Sequence, residues 1–173
     1  MMCFAVILLA ACNKKEVITE VTGSWAQSYD KKTEVISFNE DGTVKYRDKK
    51  YESYSLSDGR IILNGDEKLE LRYIKQDDVL ILYEHRTYTL TDTNTPGTVI
   101  GLWENGKASY EFTTKGQFLE DGVFGGDYTV DEENHKIKLV YTGPFDPTEF
   151  YYSIENNELK TEYPYKMYPT EKG

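Results

Sequence analysis

Gly23-Ser24-Trp25 recurs as Gly101-Leu102-Trp103, and the recurrence runs on through the rest of the chain. Phe38 with Asp41-Gly42 returns as Phe112 with Lys115-Gly116, and Tyr54-Ser55-Leu56 returns as Tyr128-Thr129-Val130. Ile61 and Leu63 match Ile137 and Leu139, and Ile74 and Val79 match Ile154 and Leu159. Tyr83, Arg86 and Tyr88 match Tyr163, Lys166 and Tyr168. The offset drifts only between 74 and 80 residues, as short insertions in hairpin loops would make it drift. A chain that repeats itself at this spacing is expected to build the same supersecondary unit twice. Between the copies, Asp92-Thr93-Asn94-Thr95-Pro96-Gly97 has no apolar residue and carries a Pro-Gly turn signal, so it reads as a linker.

Within each copy the pattern is one of short strands between turns. Ser37-Phe38 and Thr43-Val44-Lys45-Tyr46 flank Asn39-Glu40-Asp41-Gly42, a hairpin whose glycine can take the positive φ of a tight reversal. The same logic predicts turns at Ser57-Asp58-Gly59, Asn64-Gly65, Gln76-Asp77-Asp78, Gly125-Gly126, Glu132-Glu133-Asn134 and Asn156-Asn157. In Lys68-Leu69-Glu70-Leu71-Arg72-Tyr73 the apolar residues share one side and the charges the other, as in a sheet with one wet face. The first copy offers strands near 23–29, 34–39, 43–48, 52–57, 60–64, 67–75, 79–84 and 86–91. No amphipathic helix of three turns is present. The fold expected is all-β, with two tandem small antiparallel β-meander or barrel domains over 23–92 and 99–170.

Gly-x-Trp opening the first strand, a Phe-x-x-Asp-Gly-like hairpin and a run of Tyr-x-Ile/Leu strands resemble the small lipocalin-like domains of many bacterial lipoproteins. The resemblance covers residues 21–169 as two copies. It implies a barrel in which Trp25 and Trp103 pack in the core, and extracellular binding or envelope roles. A copy of about 70 residues buries only about 60% of its unfolded surface, so hollowing it would remove scarce contacts. Interiors filled by Trp25, Phe38, Tyr46, Leu63, Leu71 and Leu80, and by Trp103, Phe112, Phe118, Tyr128, Leu139 and Ile154, are expected. Binding would then use a rim, the groove between copies or a sheet face.

Residues 1–11 form a short apolar run that ends at Leu9-Ala10-Ala11-Cys12 and resembles a bacterial lipobox. The apolar stretch falls far short of the ~20 residues a spanning helix needs, and fits a signal segment instead. The resemblance implies cleavage before Cys12, lipid attachment to its sulfur, and a tether over 12–22 on the extracytoplasmic side of a bacterial membrane. Membrane attachment through the lipid on Cys12 is then the expected partnership, with a protein or glycan as the further partner. Loss of Cys3 with the leader would leave one blocked thiol and no disulfide.

Charge and missing motifs narrow the chemistry. The formal charge is −10; residues 21–92 carry eleven basic and fourteen acidic groups, and 99–173 carry seven and fourteen. Nucleic acid is not an expected partner, because phosphate binding needs a basic face. No Cys-x-x-Cys, His-Glu-x-x-His or Gly-x-Ser-x-Gly occurs, and only His85 and His135 are available as histidines. No catalysis, metal or cofactor is expected. Glu120-Asp121, Asp131-Glu132-Glu133 and Asp77-Asp78 fall at turns and read as solvated carboxylates. Aromatic residues carry what binding signal there is. They crowd the last third of the second copy, and adjacent strand residues point to opposite faces, so Phe150-Tyr151-Tyr152 cannot all be internal. Phe145, held between Pro144 and Pro147, together with Tyr151, Tyr163 and Tyr165, forms the candidate binding surface.

Overall fold

The computed structural model describes residues 20–171 apart from 93, 94, 96 and 107. Cys12, the leader before it, most of the tether and part of the linker lie outside the described residues. Fifteen strands follow one another, and no helix occurs among the described residues. The first eight are β1 Gly23–Gln27, β2 Ile36–Phe38, β3 Val44–Tyr46, β4 Lys49–Tyr51, β5 Ser53–Ser57, β6 Arg60–Asn64, β7 Leu69–Gln76 and β8 Val79–Asp92. Then come β9 Gly101–Asn105, β10 Ala108–Phe112, β11 Gln117–Glu120, β12 Phe124–Asp131, β13 Lys136–Tyr141, β14 Thr148–Glu155 and β15 Glu158–Pro169.

From β8 onward each strand pairs antiparallel with the next, and β15 returns to pair with β8, closing an eight-stranded barrel. Closure removes the free edges that short strands would otherwise expose. The remaining strands hang from the same two members. β1 to β4 extend from β15 through Trp25↔Pro169, and β5 to β7 reach β8 through Tyr73↔Leu82. Glu52 alone separates β4 from β5, and its N–H donates to the Asn64 carbonyl at 2.8 Å.

Two cores result. Inside the closed barrel, Trp103, Tyr110, Phe112, Phe118, Ile137, Leu139, Phe150 and Leu159 are buried with Tyr88. The other core gathers Trp25, Ile36, Phe38, Val44, Ile61, Leu63, Leu71, Leu80 and Leu82 with Met167. Of the interior residues read from the sequence, Tyr46, Tyr128 and Ile154 are half-buried against these cores and the rest are buried. Trp25 Nε1 donates to the Val21 carbonyl at 2.9 Å and Trp103 Nε1 to the Val99 carbonyl at 2.7 Å, so each buried indole keeps its donor satisfied.

The antiparallel ribbon of β8 and β15, in register from Thr89↔Glu158 to Leu80↔Met167, serves both cores. Opposed residues share a face. Leu80 and Leu82 with Tyr165 and Met167 pack in the first core, whereas Tyr88 with Leu159 and Tyr163 packs in the second. This explains why residues 79–84 and 86–91, expected as two strands, form one. Glu84-His85-Arg86 contains no turn residue, and each end of the strand has its own apolar face to bury.

Gly125-Gly126, expected as a turn, lies inside β12 instead, opposite Leu119 and Phe118. The glycine is needed for close approach rather than reversal: a Cβ on Gly126 would sit 2.0 Å from the Val140 carbonyl oxygen and 2.9 Å from the Tyr141 Cα.

Candidate functional site

The hairpin loop after β11 and the loop before β14 flank one mouth of the closed barrel. Asp121 and Gly122 both have positive φ, 52° and 67°, and the Val123 N–H returns to the Glu120 carbonyl at 3.0 Å. Asp121 is fixed to β10 twice, its N–H donating to the Ser109 carbonyl at 2.9 Å and its Oδ1 accepting the Ser109 N–H at 2.7 Å. Across the mouth, the Phe145 ring lies against Gly143, where a Cβ would meet it at 3.2 Å. Between these loops opens a cleft of about 340 Å³ lined by Glu120, Asp121, Phe124, Tyr141, Phe145, Asp146, Thr148 and Tyr163.

Its rings stand at steep angles to one another. Phe124 and Phe145 have centroids 5.4 Å apart at 86°, and Tyr141 and Phe145 are 5.6 Å apart at 64°. Phe124 and Phe145 keep 42% and 52% of their surface in water. Half-exposing a phenylalanine forgoes about 1–2 kcal/mol of burial, which marks these rings as available to a ligand. Beneath them, Glu120 accepts from Tyr110 Oη at 2.9 Å and from Tyr141 Oη at 2.7 Å. Burial, with the Glu120 carboxylate adding to it, pushes both phenols well above the ordinary tyrosine range, so they remain hydrogen-bond donors.

The four candidate residues read from the sequence do not share one site. Phe145 and Tyr163 line the cleft. Tyr165 is half-buried against the first core, where Arg86 donates to its hydroxyl, and burial pushes that hydroxyl up to about 12. Tyr151 faces a different groove of about 440 Å³, on the other side of the ribbon, with the Arg72 guanidinium 3.8 Å from its ring centroid and the Lys136 ammonium at 5.1 Å. His85 and His135, distant in sequence, both line that groove with Glu162. Burial acts to raise the Glu162 carboxyl, but hydrogen bonds from Arg60 at 2.7 Å and Arg72 at 2.6 Å outweigh it and hold the group below its ordinary range.

Glu120 was hidden from the sequence reading by its place beside Asp121 at a turn. Alternation could have found it, because Glu120 stands two residues after buried Phe118 and so points to the same inward face. Phe124 and Asp146 carry no comparable signal; their loops meet because β12 pairs with β13, Gly126 opposite Tyr141 and the Thr142 N–H donating to the Gly125 carbonyl at 2.9 Å. Among the described residues no group of three or more His, Cys, Asp or Glu could hold a metal ion.

No family model matches the chain, and no curated protein and no solved structure matches it.

Proposed function

We propose that the protein is a lipid-anchored, extracytoplasmic binding module built from two copies of a lipocalin-like β unit, with its ligand site at the mouth between Glu120 and Phe145. In this reading Cys12 carries the lipid, residues 12–22 form the tether, and no catalysis takes place. The duplication is supported by the parallel order of elements, β1–β3 resembling β9–β11, β4 and β5 together resembling β12, and β6–β8 resembling β13–β15. It is supported too by the matching Trp25 and Trp103 hydrogen bonds and by positive φ at both Arg47 and Asp121. On this view each copy lends the far end of its last strand to the other.

The observation that carries binding is the pair of half-exposed rings, Phe124 and Phe145, poised above a carboxylate held by buried Tyr110 and half-buried Tyr141. Trp103, Phe112 and Phe150 fill the barrel below, so a ligand has room at the mouth rather than in the centre. That favours a rim site over a carrier with a closed internal cavity.

Two measurements test the proposal. Intact mass of the detergent-extracted protein should show a chain beginning at Cys12 with a diacylglyceryl group, and Cys12→Ala should move the protein to the aqueous phase. Native mass spectrometry of the extracted full-length protein should show a copurified small molecule that Phe145→Ala loses. An unprocessed, unlipidated chain overturns the anchor, and a ligand retained by Phe145→Ala overturns the site.

A further inference from the structure

The chemistry of the mouth goes further than an unspecified ligand. Its lining residues include three carboxylates, Glu120, Asp121 and Asp146, and no basic side chain. Arg86, on the ribbon beside Tyr163, is engaged elsewhere, donating to the Tyr165 hydroxyl and bonding Tyr88. Residues 99–173 carry fourteen acidic groups against seven basic ones, so the surrounding field favours cations as well.

The rings narrow the class. A sugar stacks on one flat aromatic platform, whereas Phe124, Phe145 and Tyr141 meet at 86° and 64° and wall a rounded space. The negative faces of such rings attract a cation whose charge is spread over methyl or alkyl groups, and a nearby carboxylate adds to the attraction. Glu120 cannot turn away to solvent as a surface acid would, because Tyr110 and Tyr141 pin one oxygen each. A small metal ion is a poor occupant, since it would need several converging oxygens and the described residues contain no such group.

We infer that the mouth formed by Glu120, Phe124, Tyr141, Phe145 and Asp146 binds a small organic ammonium ion bearing methyl or alkyl groups. The inference rests on the mouth being the binding site, as proposed above. The ammonium could belong to a free solute or to a lipid headgroup, and the chemistry recognised is the same.

The test is calorimetric titration of the detergent-extracted full chain with choline and with its uncharged isostere 3,3-dimethylbutan-1-ol. Choline should bind at least about 10-fold more tightly than the isostere, the margin that cation–π and carboxylate contacts supply. Glu120→Gln should weaken choline by about 5-fold or more while leaving the isostere unchanged. Because Glu120 also anchors two tyrosines, Asp146→Asn and Phe145→Leu serve as second variants. Each should weaken choline selectively while circular dichroism and the melting temperature stay as in the parent.

Equal affinity for choline and the isostere overturns the cation assignment but leaves a binding mouth. Binding of glucose without choline also overturns it, in favour of a sugar. Absence of any binding by choline overturns the inference outright, while the copurified ligand independently judges whether the mouth binds anything. With the lipid-free Cys12→Ala chain, capture by phosphocholine-headed but not phosphoglycerol-headed vesicles would identify a headgroup as the source. Choline binding without vesicle capture would identify a free solute.

Discussion

Adjacent glycines in β12 should respond in opposite directions to the same substitution. At Gly126 an added Cβ would lie 2.0 Å from the Val140 carbonyl oxygen, where real Cβ atoms essentially never come within 3.0 Å. The strand must therefore shift by about 1 Å against β13, and the neighbour is backbone, which cannot rotate away. Such a shift weakens the Gly126↔Tyr141 pairing, worth about 1 kcal/mol per hydrogen bond lost. It also disturbs the Tyr141 ring, which packs edge-on to Phe118 at 5.1 Å. Overpacking of this kind costs about 1–3 kcal/mol by itself. Gly126→Ala should thus lose about 2–4 kcal/mol, lowering the melting temperature by roughly 5–15 °C for a chain of this size. At Gly125 the nearest atoms to a new Cβ are the Phe118 carbonyl oxygen at 3.4 Å and Leu119 Cδ1 at 3.6 Å, ordinary contact distances. Gly125→Ala should be neutral or stabilise by up to about 1 kcal/mol, through lower entropy of the unfolded chain. Denaturant unfolding followed by circular dichroism reads both. Gly126→Ala within about 0.5 kcal/mol of the parent would refute the reasoning, as would Gly125→Ala proving the more damaging of the two.

Burial raises the phenols of Tyr46, Tyr88, Tyr110, Tyr141 and Tyr165 above the ordinary value of 10.0, so the stability they contribute is complete below that pH and lost as pH rises through their folded values. Absorbance at 295 nm should show these tyrosines ionising only with unfolding, and titration of all fifteen near pH 10 with the far-ultraviolet spectrum intact would contradict this. Glu162 behaves the other way: its lowered carboxyl contributes stability above the unfolded value of 4.5 and loses it as pH falls below. Glu162→Gln should cost about 1–2 kcal/mol at pH 7 and flatten stability below pH 4.5; an unchanged acid limb would show that Arg60 and Arg72 gain nothing from it. His135 holds φ 52°, a left-handed conformation costing an L-residue about 1–2 kcal/mol, so His135→Gly should stabilise by about 0.5–1 kcal/mol after glycine's own entropy cost. A loss of stability would mean that the His135 contact with Tyr152 outweighs the backbone strain.

Period-two alternation and turn chemistry made the all-β class, most strand positions and most of the core legible, because a residue such as Leu71 or Leu139 has only one dry face to occupy. Alternation is local, however, and closure is not. That β15 returns to β8, and that Met167 packs beside Leu80 while Leu159 packs beside Tyr88, depends on pairing across about 80 residues, which no short window encodes. The mouth was hidden for other reasons. Phe145 stood out through its flanking prolines and Glu120 was masked by its place at a turn, whereas Phe124 gains its meaning only when the loops at 121–123 and 142–147 meet across the β12–β13 pairing. Gly125-Gly126 misled for a related reason, since a glycine that permits close approach and one that permits a reversal look alike in sequence. His85 and His135 lie far apart in the sequence, and the fold carries both to one groove.

Backbone amide shifts of the detergent-extracted protein during titration with choline test the account most directly. Saturable changes confined to residues 120–124, 141–148 and 163 are the expected result. Changes centred instead on the groove of His85, His135 and Tyr151, or no saturable change anywhere, would contradict it.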